Sequence, residues 1–365
     1  MNQSDIQPSE HASEPVAGLV SVALVVYNGS KDVRAAIDSV LTQTYRPLEL
    51  VAVDDGSTDG TWDILQSYGD RIVAIRQRNG GLPAARNTAM KHSRGEFIAL
   101  MDHDDICMPE RVAVQVAFLK QNPEVGLCCS DFSAFNDKGP IEASHIATYY
   151  SQCSAAKGGV AALYPQTGTF DVTALVPTPH EGAALTPYYK GDVYDALVFG
   201  NFVHPPTVMV RASVARKVGA FDPQARTTCD WDWNVRVSRH CHVGHVHRAL
   251  LDYRRSPSQM SGLQHRASGH QITLEVAQRM VDRDPSLMQR HRQRMRSTLG
   301  EFAIDAAYAN AESRPGLAWR WWWMAAWEYH HFSELTWRTL AKLALPVQWL
   351  KRQGMGNQRG SISRL

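Results

Sequence analysis

The chain has 365 residues, enough for one large domain or two smaller ones. Hydrophobic residues make up 44% and charged residues 20%, so a globular core is expected. The formal net charge is only +2, which argues against a general nucleic-acid binder.

Residues 1–18 are polar, carry acids and read as a disordered leader. They lack the basic start and apolar core of a signal peptide. No run of about 18 apolar residues occurs, so no membrane-spanning helix is expected. Leu19 to Tyr27 is a β-branched apolar run that suits a parallel strand covered on both faces. Helical spacing follows over 31–44, with Val33, Ile37, Val40 and Leu41 on one face. Leu48 to Val53 reads as a second strand, ending at Asp54-Asp55-Gly56-Ser57-Thr58-Asp59-Gly60. These N-capping residue types predict a helix over Thr61 to Tyr68. Arg71 to Arg76 is a third strand. Asn79-Gly80-Gly81-Leu82-Pro83 is a turn, and Pro83 suits the first turn of a helix reaching Ser93. Phe97 to Met101 is a fourth strand, ending at Asp102-His103-Asp104-Asp105. Such alternation with short links predicts an α/β fold with a mainly parallel central sheet.

From residue 136 to 200 the pattern weakens, and this stretch reads as a variable insertion or lid. Regular signals return at Asn201 and continue to Leu251. The chain then reads as a helical extension over 261–353 and a disordered, slightly basic tail over 354–365. The six cysteines form no Cys-x-x-Cys pair and no zinc spacing, and read as reduced thiols.

Function in open α/β sheets collects at the carboxyl ends of strands. Three such ends carry Tyr27-Asn28, Asp54-Asp55 and Asp102-His103-Asp104. Tyr27 could stack on a base, and Asp54 could accept a hydrogen bond from a base N–H or a ribose hydroxyl. Asp102 and Asp104 form a hard-oxygen pair suited to Mg²⁺ or Mn²⁺ carrying a diphosphate. Each could instead be a capping or turn residue. No Gly-x-Gly-x-x-Gly follows the first strand and no Gly-x4-Gly-Lys-Ser/Thr occurs, which disfavours a dinucleotide oxidoreductase and a P-loop NTPase.

The segments V-A-L-V-V-Y-N (22–28), A-I-D-S-V-L-T-Q-T-Y (36–45), L-V-A-V-D-D-G-S-T-D-G-T (50–61), N-G-G-L-P-A-A-R-N (79–87) and G-E-F-I-A-L-M-D-H-D-D (95–105) occur in this order. In them the chain resembles the family 2 glycosyltransferases of GT-A nucleotide-sugar-binding fold. The resemblance is strong over 20–135, resumes at 199–261, and is weak over 140–198 and most of the chain after 262. It implies a GT-A domain over 19–260 and an inverting, metal-dependent transfer from a nucleotide-diphosphate sugar, with uridine as the first choice. The expected acceptor is a glycan or lipid-linked hydroxyl, and the expected setting is surface polysaccharide or glycoconjugate synthesis. Tyr27 and Asp54 match positions that contact the nucleobase. Asp102 and Asp104 match the DxD metal motif, with Asp104 the direct ligand and His103 a solvent-facing spacer. Asp230 matches the general base and Arg236 the Arg six residues on, but Cys229 stands where the family often has Glu. Asp232 competes with Asp230 for the role, although a helix turns it about 200° away. His204 and the segment 253–261, with Arg254 and Arg255 reaching for the diphosphate, resemble positions near the donor or acceptor. The rivals are a nucleotidyltransferase, which would show a basic Gly-rich loop where Tyr27-Asn28-Gly29-Ser30 stands, and a catalytically inactive glycan-binding relative.

Leu317 to Trp327 holds five tryptophans and an arginine. The segment reads either as a helix packing its Trp face on a neighbour or as a peripheral membrane contact. His240, His242, His245 and His247 crowd a strand but lack the acid or cysteine partners of a zinc site. The expected location is cytoplasmic, either free or at the inner face of the membrane.

Overall fold

A computed structural model describes residues 14–176, 185–256 and 266–344. The chain divides into two compact units. One comprises residues 1–223 and 229–256, and the other residues 224–228 and 257–365.

The first unit opens with β1 (Val16–Val26), α1 (Val33–Leu41), β2 (Leu48–Asp54), α2 (Thr61–Gln66), β3 (Val73–Arg76), α3 (Leu82–His92) and β4 (Gly95–Asp102). Val20 to Val26 are buried without a break, as a strand with helices on both faces requires. On α1 the buried positions Val33, Ala36, Ile37 and Val40 follow the helical period. Then come β5 (Ile106–Cys107), α4 (Arg111–Gln121), β6 (Val125–Asn136), β7 (Gly139–Glu142), α5 (Ile146–Tyr149), α6 (Ser151–Ala155), β8 (Gln166–Asp171), β9 (Leu185–Gly191), α7 (Tyr194–Val198), β10 (Met209–Arg211), α8 (Ala212–Val218), α9 (Cys229–Ser238) and β11 (His242–Arg254).

The sheet order is β3-β2-β1-β4-β10-β6-β11-β9-β8, with β5 on β11 and β7 on β6. Along that order only β10 and β9, among the described strands, run against β1. The sheet is therefore mostly parallel, the α/β architecture expected of the sequence. Two differences stand out. β1 begins at Val16, inside the stretch read as leader, and Val16 pairs with Gly95 across a register shift that hides the strand's start. Residues 139–191, inside the stretch read as an insertion, add three strands to the sheet.

The chain runs outward from β1 through β2 to β3, then returns to β1's other side as β4. This is a topological switch point, where the strand ends leave a crevice. Register places Val26 beside Asp54 on one flank and Val25 beside Asp102 on the other. Beneath β4's end lies Arg111, 1% exposed, which donates to the Leu100 carbonyl at 2.9 Å and to Gln115 Oε1 at 3.2 Å. Gln115 in turn donates to the Thr207 carbonyl at 2.7 Å, just ahead of β10.

The loops after β1, β2 and β3 are interlocked. Asn28, at φ 51° in the left-handed region, donates its N–H to Ser57 Oγ (2.8 Å) and accepts the Thr58 N–H (2.8 Å). Gly29 N–H donates to Thr61 Oγ1 (3.0 Å), and Ser30 N–H to Asp59 (3.1 Å). Burial opposes ionisation of Asp59, but hydrogen bonds from Thr61 and Ser30 outweigh it and hold the carboxyl at about 2. Asp55 is 4% exposed and accepts from Gln77 Nε2 (2.7 Å), Gly80 N–H (3.0 Å) and Gly81 N–H (2.8 Å). Gly56 has φ +77°, and a Cβ there would meet the Asn79 nitrogen at 2.8 Å, so the D-D-G and N-G-G loops meet backbone to backbone.

The second unit contains α10 (Arg266–Arg283), α11 (Ser286–Arg290), α12 (Arg292–Asn310), α13 (Pro315–Trp323), a π-helical turn at Met324–Glu328 and α14 (Glu334–Ala344). Its core is built from Leu274, Ile304, Trp321 and the alanines 303, 306, 307, 311, 318 and 325. Alanines at such positions let helices approach closely. Of the five tryptophans in 317–327, Trp321 is buried and Trp322 donates Nε1–H to the Thr336 carbonyl at 2.9 Å. Trp319, Trp323 and Trp327 are exposed. The tail over 354–365 lies outside the described residues.

Asp55→Ala removes the buried acceptor of three hydrogen bonds and should cost about 3 kcal/mol of stability, read by denaturant unfolding. Amide exchange at Gly80 and Gly81 should accelerate with it. A loss under about 1 kcal/mol would mean the N-G-G turn stands without Asp55.

Candidate active site

The carboxyl ends of β1, β2 and β4 carry Tyr27, Asp54 and Asp102 to Asp104, and Arg86 links the β4 end to α9. Tyr27, just past β1, is 48% exposed, so its ring is presented to solvent. Asp54, at the end of β2, is wholly buried. Its Oδ1 accepts the Ser57 N–H at 2.9 Å, and Arg76 Nε stands 3.2 Å from Oδ2 as an ion pair. That ion pair lacks hydrogen-bond alignment, leaving Oδ2 a buried acceptor with no hydrogen bond. Direct contact between Asp54 and a base therefore requires the carboxylate to be uncovered. Arg76 is the partly exposed group it presents, lying 5.6 Å from the Trp62 ring centroid.

Asp102, His103 and Asp104 are each half-buried at the end of β4. Asp102 Oδ1 accepts from Arg86 Nη2 at 3.2 Å. His103 is not a solvent-facing spacer. A Cβ on Gly29 would lie 2.2 Å from its Cδ2, so the imidazole rests on that glycine and joins the β4 end to the β1 loop. Asp105 is fully buried and accepts the Arg254 N–H at 3.0 Å. Burial, with Asp104 and Asp102 adjacent, pushes its carboxyl well above the usual range. Among the described residues no three of His, Cys, Asp and Glu gather into a metal-holding group. Asp102 and Asp104 nonetheless fit a hard cation. Mg²⁺ is held by one or two carboxylates, keeps several waters and takes the rest of its shell from substrate phosphates.

α9 brings the remaining carboxylates. Asp230 is half-buried and accepts from Asn201 Nδ2 at 2.8 Å. Burial raises its pKa, with Arg86 acting in the opposite direction. Asp232 is wholly buried, and its Oδ2 accepts from Arg236 Nε at 2.9 Å. Arg236 also donates to the carbonyls of Val218 and Ala220. The Asp232–Arg236 pair therefore ties α9 to its own unit and keeps Asp232 from solvent.

Arg86, Asn201 and Arg76 were not among the residues singled out. Arg86 is 3% exposed on the buried face of α3, among Pro83, Ala85 and Ala89. It reaches Asp102 on β4 and, at 3.7 Å, Cys229 Sγ on α9. Burial alone would lower its pKa, but Asp102, Cys229 and Asp230 reverse the direction and raise it. Burial pushes the Cys229 thiol up to about 12, so the residue in the family's Glu position is a neutral thiol. The signal for Arg86 was there: an arginine at apolar spacing on a helix can be buried only with acids to meet it.

His204 lies in an aromatic cage, stacked on Phe132 at 3.9 Å between centroids, with Nδ1 3.0 Å from the Tyr150 hydroxyl. Burial, helped by His145, Arg86 and Arg111, drives its pKa well below the ordinary value, so it is a neutral packing group. Arg254 sits 3.3 Å from Asp32 and 3.2 Å from Asp137 and donates to the Asp104 carbonyl, which fixes the turn after the acidic cluster. Arg255 Nη1 lies 3.2 Å from His145 Nε2. Residues 257–261 of that segment lie outside the described residues. His245 is buried with its ring parallel to Tyr189, and burial lowers its pKa to about 3.

Residues 21–172 match the sequence profile of Glycosyl transferase family 2. An uncharacterized glycosyltransferase of Rickettsia prowazekii (strain Madrid E) is 40% identical over 241 residues, which cover 65% of this chain and 64% of that protein. The Escherichia coli UDP-Glc:alpha-D-GlcNAc-diphosphoundecaprenol beta-1,3-glucosyltransferase WfaP is 38% identical over 104 residues, 28% of this chain and 41% of the relative. The chain thus spans less than two thirds of the length of these relatives. Among solved structures, S. aureus TarS in complex with UDP aligns over 94% of both chains at 18% identity and a TM-score of 0.48. The profile match falls on the switch-point strands and their loops, and over residues 21–172 the chain is similar to glycosyl transferase family 2.

Proposed function

We propose that the chain transfers a sugar, with inversion, from a nucleotide-diphosphate sugar to a hydroxyl of a glycan or lipid-linked acceptor. The observation that carries this reading is Arg86, a buried cation in contact with Asp102 and under the charge of Asp230. It ties the expected diphosphate end of the crevice to the expected base. A UDP-sugar is the favoured donor and a surface polysaccharide precursor the favoured acceptor. WfaP's name pairs UDP-glucose with a diphosphoundecaprenol-linked sugar, which supports both choices.

In this reading Tyr27 stacks on the base, and Asp54 acts through Arg76, fixing the guanidinium at the base or ribose edge. Asp102 and Asp104 would hold Mg²⁺ or Mn²⁺, which when bound stabilises charge growing on the leaving diphosphate. Asp230 takes the proton of the acceptor hydroxyl as its oxygen attacks the anomeric carbon. The bond to the diphosphate oxygen breaks on the opposite face, so one displacement inverts the centre. Burial suits Asp230 to this work by raising its proton affinity, while the Asn201 amide fixes its orientation. Arg86 holds the Asp102 carboxylate in place through their ion pair.

Asp230→Asn should retain donor binding, read by thermal shift with UDP-sugars and Mn²⁺, and lose transfer by roughly a hundredfold or more. Asp104→Ala should lose the metal-dependent part of donor binding itself. Full transfer in the presence of a chelator would sink the metal role, and full turnover in Asp230→Asn would sink the assigned base. Arg86→Gln tests the link between the two ends. Arg86 lowers the pKa of Asp230, and the base works deprotonated, so removing the cation should move the acid limb of kcat/KM to higher pH. An unmoved limb would show that Arg86 does not act on the base.

A further inference from the structure

The helical unit carries features that sugar transfer does not use. Its residues, 224–228 and 257–365, include 16 Lys and Arg against 8 Asp and Glu, a net +8 in a chain whose total is only +2. A cleft of about 560 Å³ opens between the first turns of α12 and the segment after the π-helical turn. Arg292 and Arg296 line it on one side, and Tyr329, His330, His331 and Phe332 on the other, with no carboxylate among the described residues of the lining. Two features shape that second wall. The π-helical turn interrupts the helix, and His330 at φ 54° holds a left-handed conformation that costs a non-glycine residue about 1–2 kcal/mol. A second cleft shares Arg292 and adds Arg290, His291 and Arg294.

The rim of the first cleft is aromatic. Phe332, 56% exposed, stacks on Trp337, 58% exposed, with centroids 6.3 Å apart. Trp323 and Trp327 form a second exposed pair at 5.3 Å. Folded proteins rarely leave such large aromatic rings in water without a use for them. Indoles favour the boundary between headgroups and acyl chains, and cations favour anionic headgroups. No described helix is long and apolar enough to cross a membrane.

We propose that the helical unit is a docking face for an anionic phospholipid surface. The lipid phosphate enters the Arg292–Arg296–His330 cleft, and Phe332 and Trp337 settle into the interface beside it. Charge complementarity selects this occupant over an apolar protein surface, because the rim is aromatic while the cleft holds the cations Arg292 and Arg296. The inference stands apart from the transfer reading, since docking needs neither donor nor acceptor.

The test is co-sedimentation of the full chain with vesicles of phosphatidylcholine alone and of phosphatidylcholine with about 30 mol% phosphatidylglycerol. The chain should bind the anionic vesicles at least tenfold better, and added salt should weaken that binding. Phe332→Ala/Trp337→Ala and Arg292→Gln/Arg296→Gln should each reduce it by roughly tenfold, the arginine pair also flattening the salt dependence. Circular dichroism melts and donor binding, both unchanged, would show that these surface variants are folded. Equal binding to both vesicle types, or full binding by both double variants, overturns the proposal. So does saturable stabilisation by inorganic phosphate without vesicle binding, which marks a free-anion site. Self-association lost in the aromatic double variant without vesicle binding also overturns it and marks the face as a contact between copies.

Discussion

A guanidinium can be buried only if acids meet it, and the crevice of the first unit is organised around that requirement. Arg86 comes from α3, Asp102 from β4, and Cys229 and Asp230 from α9, so one buried cation ties three separate elements. Removing either carboxylate would leave charge uncompensated in a low-dielectric setting, which is costlier than losing a surface ion pair. The geometry between the strand-end acids and α9 is thus held by electrostatics as much as by packing. Cys229 fits this arrangement as a neutral neighbour, since a third acid beside Arg86 would have to share one positive charge.

Two carboxylates on one helix meet opposite fates for a simple reason. Asp230 and Asp232 lie two residues apart on α9, so they project to different sides. One reaches the crevice and Asn201, and the other is neutralised by Arg236 one turn on. The shared spacing of Asp230 and Arg236 in the sequence suggests a partnership, yet the ion pair belongs to Asp232. Helical neighbours at i and i+4 meet more directly than residues six apart.

Much of the first unit was legible because β1, β2 and β4 are long apolar runs between N-capping and turn residues. The end of each strand announced itself by a change from Val, Ile and Leu to Asp and Asn. The remainder was hidden for physical reasons. β8, at the sheet edge, reads Gln-Thr-Gly-Thr-Phe-Asp, and its neighbour β9 reads Leu-Thr-Pro-Tyr-Tyr-Lys-Gly, with polar, glycine and proline residues that hide a strand from its sequence. The start of β1 was masked by Gly18, at φ +73°, and by the register shift between Val16 and Val20. Asp54 read as an acceptor for a base or ribose, because its burial depends on Ser57 and Arg76, which only the fold brings to it. Arg86 sat inside a matched segment and passed unnoticed, because a cation in a short helix is usually solvated.

The interlocking of the strand-end loops limits how such a crevice can change. Asp55 holds the N-G-G turn, Asn28 and Gly29 hold the D-D-G-S-T-D-G loop, and His103 rests on Gly29. No one of these loops can lengthen or exchange its sequence without stranding donors or acceptors in another. Diversification of the floor of the crevice must therefore come in coordinated sets of changes. The second half of the unit, where strands are short and polar, is freer to vary one segment at a time.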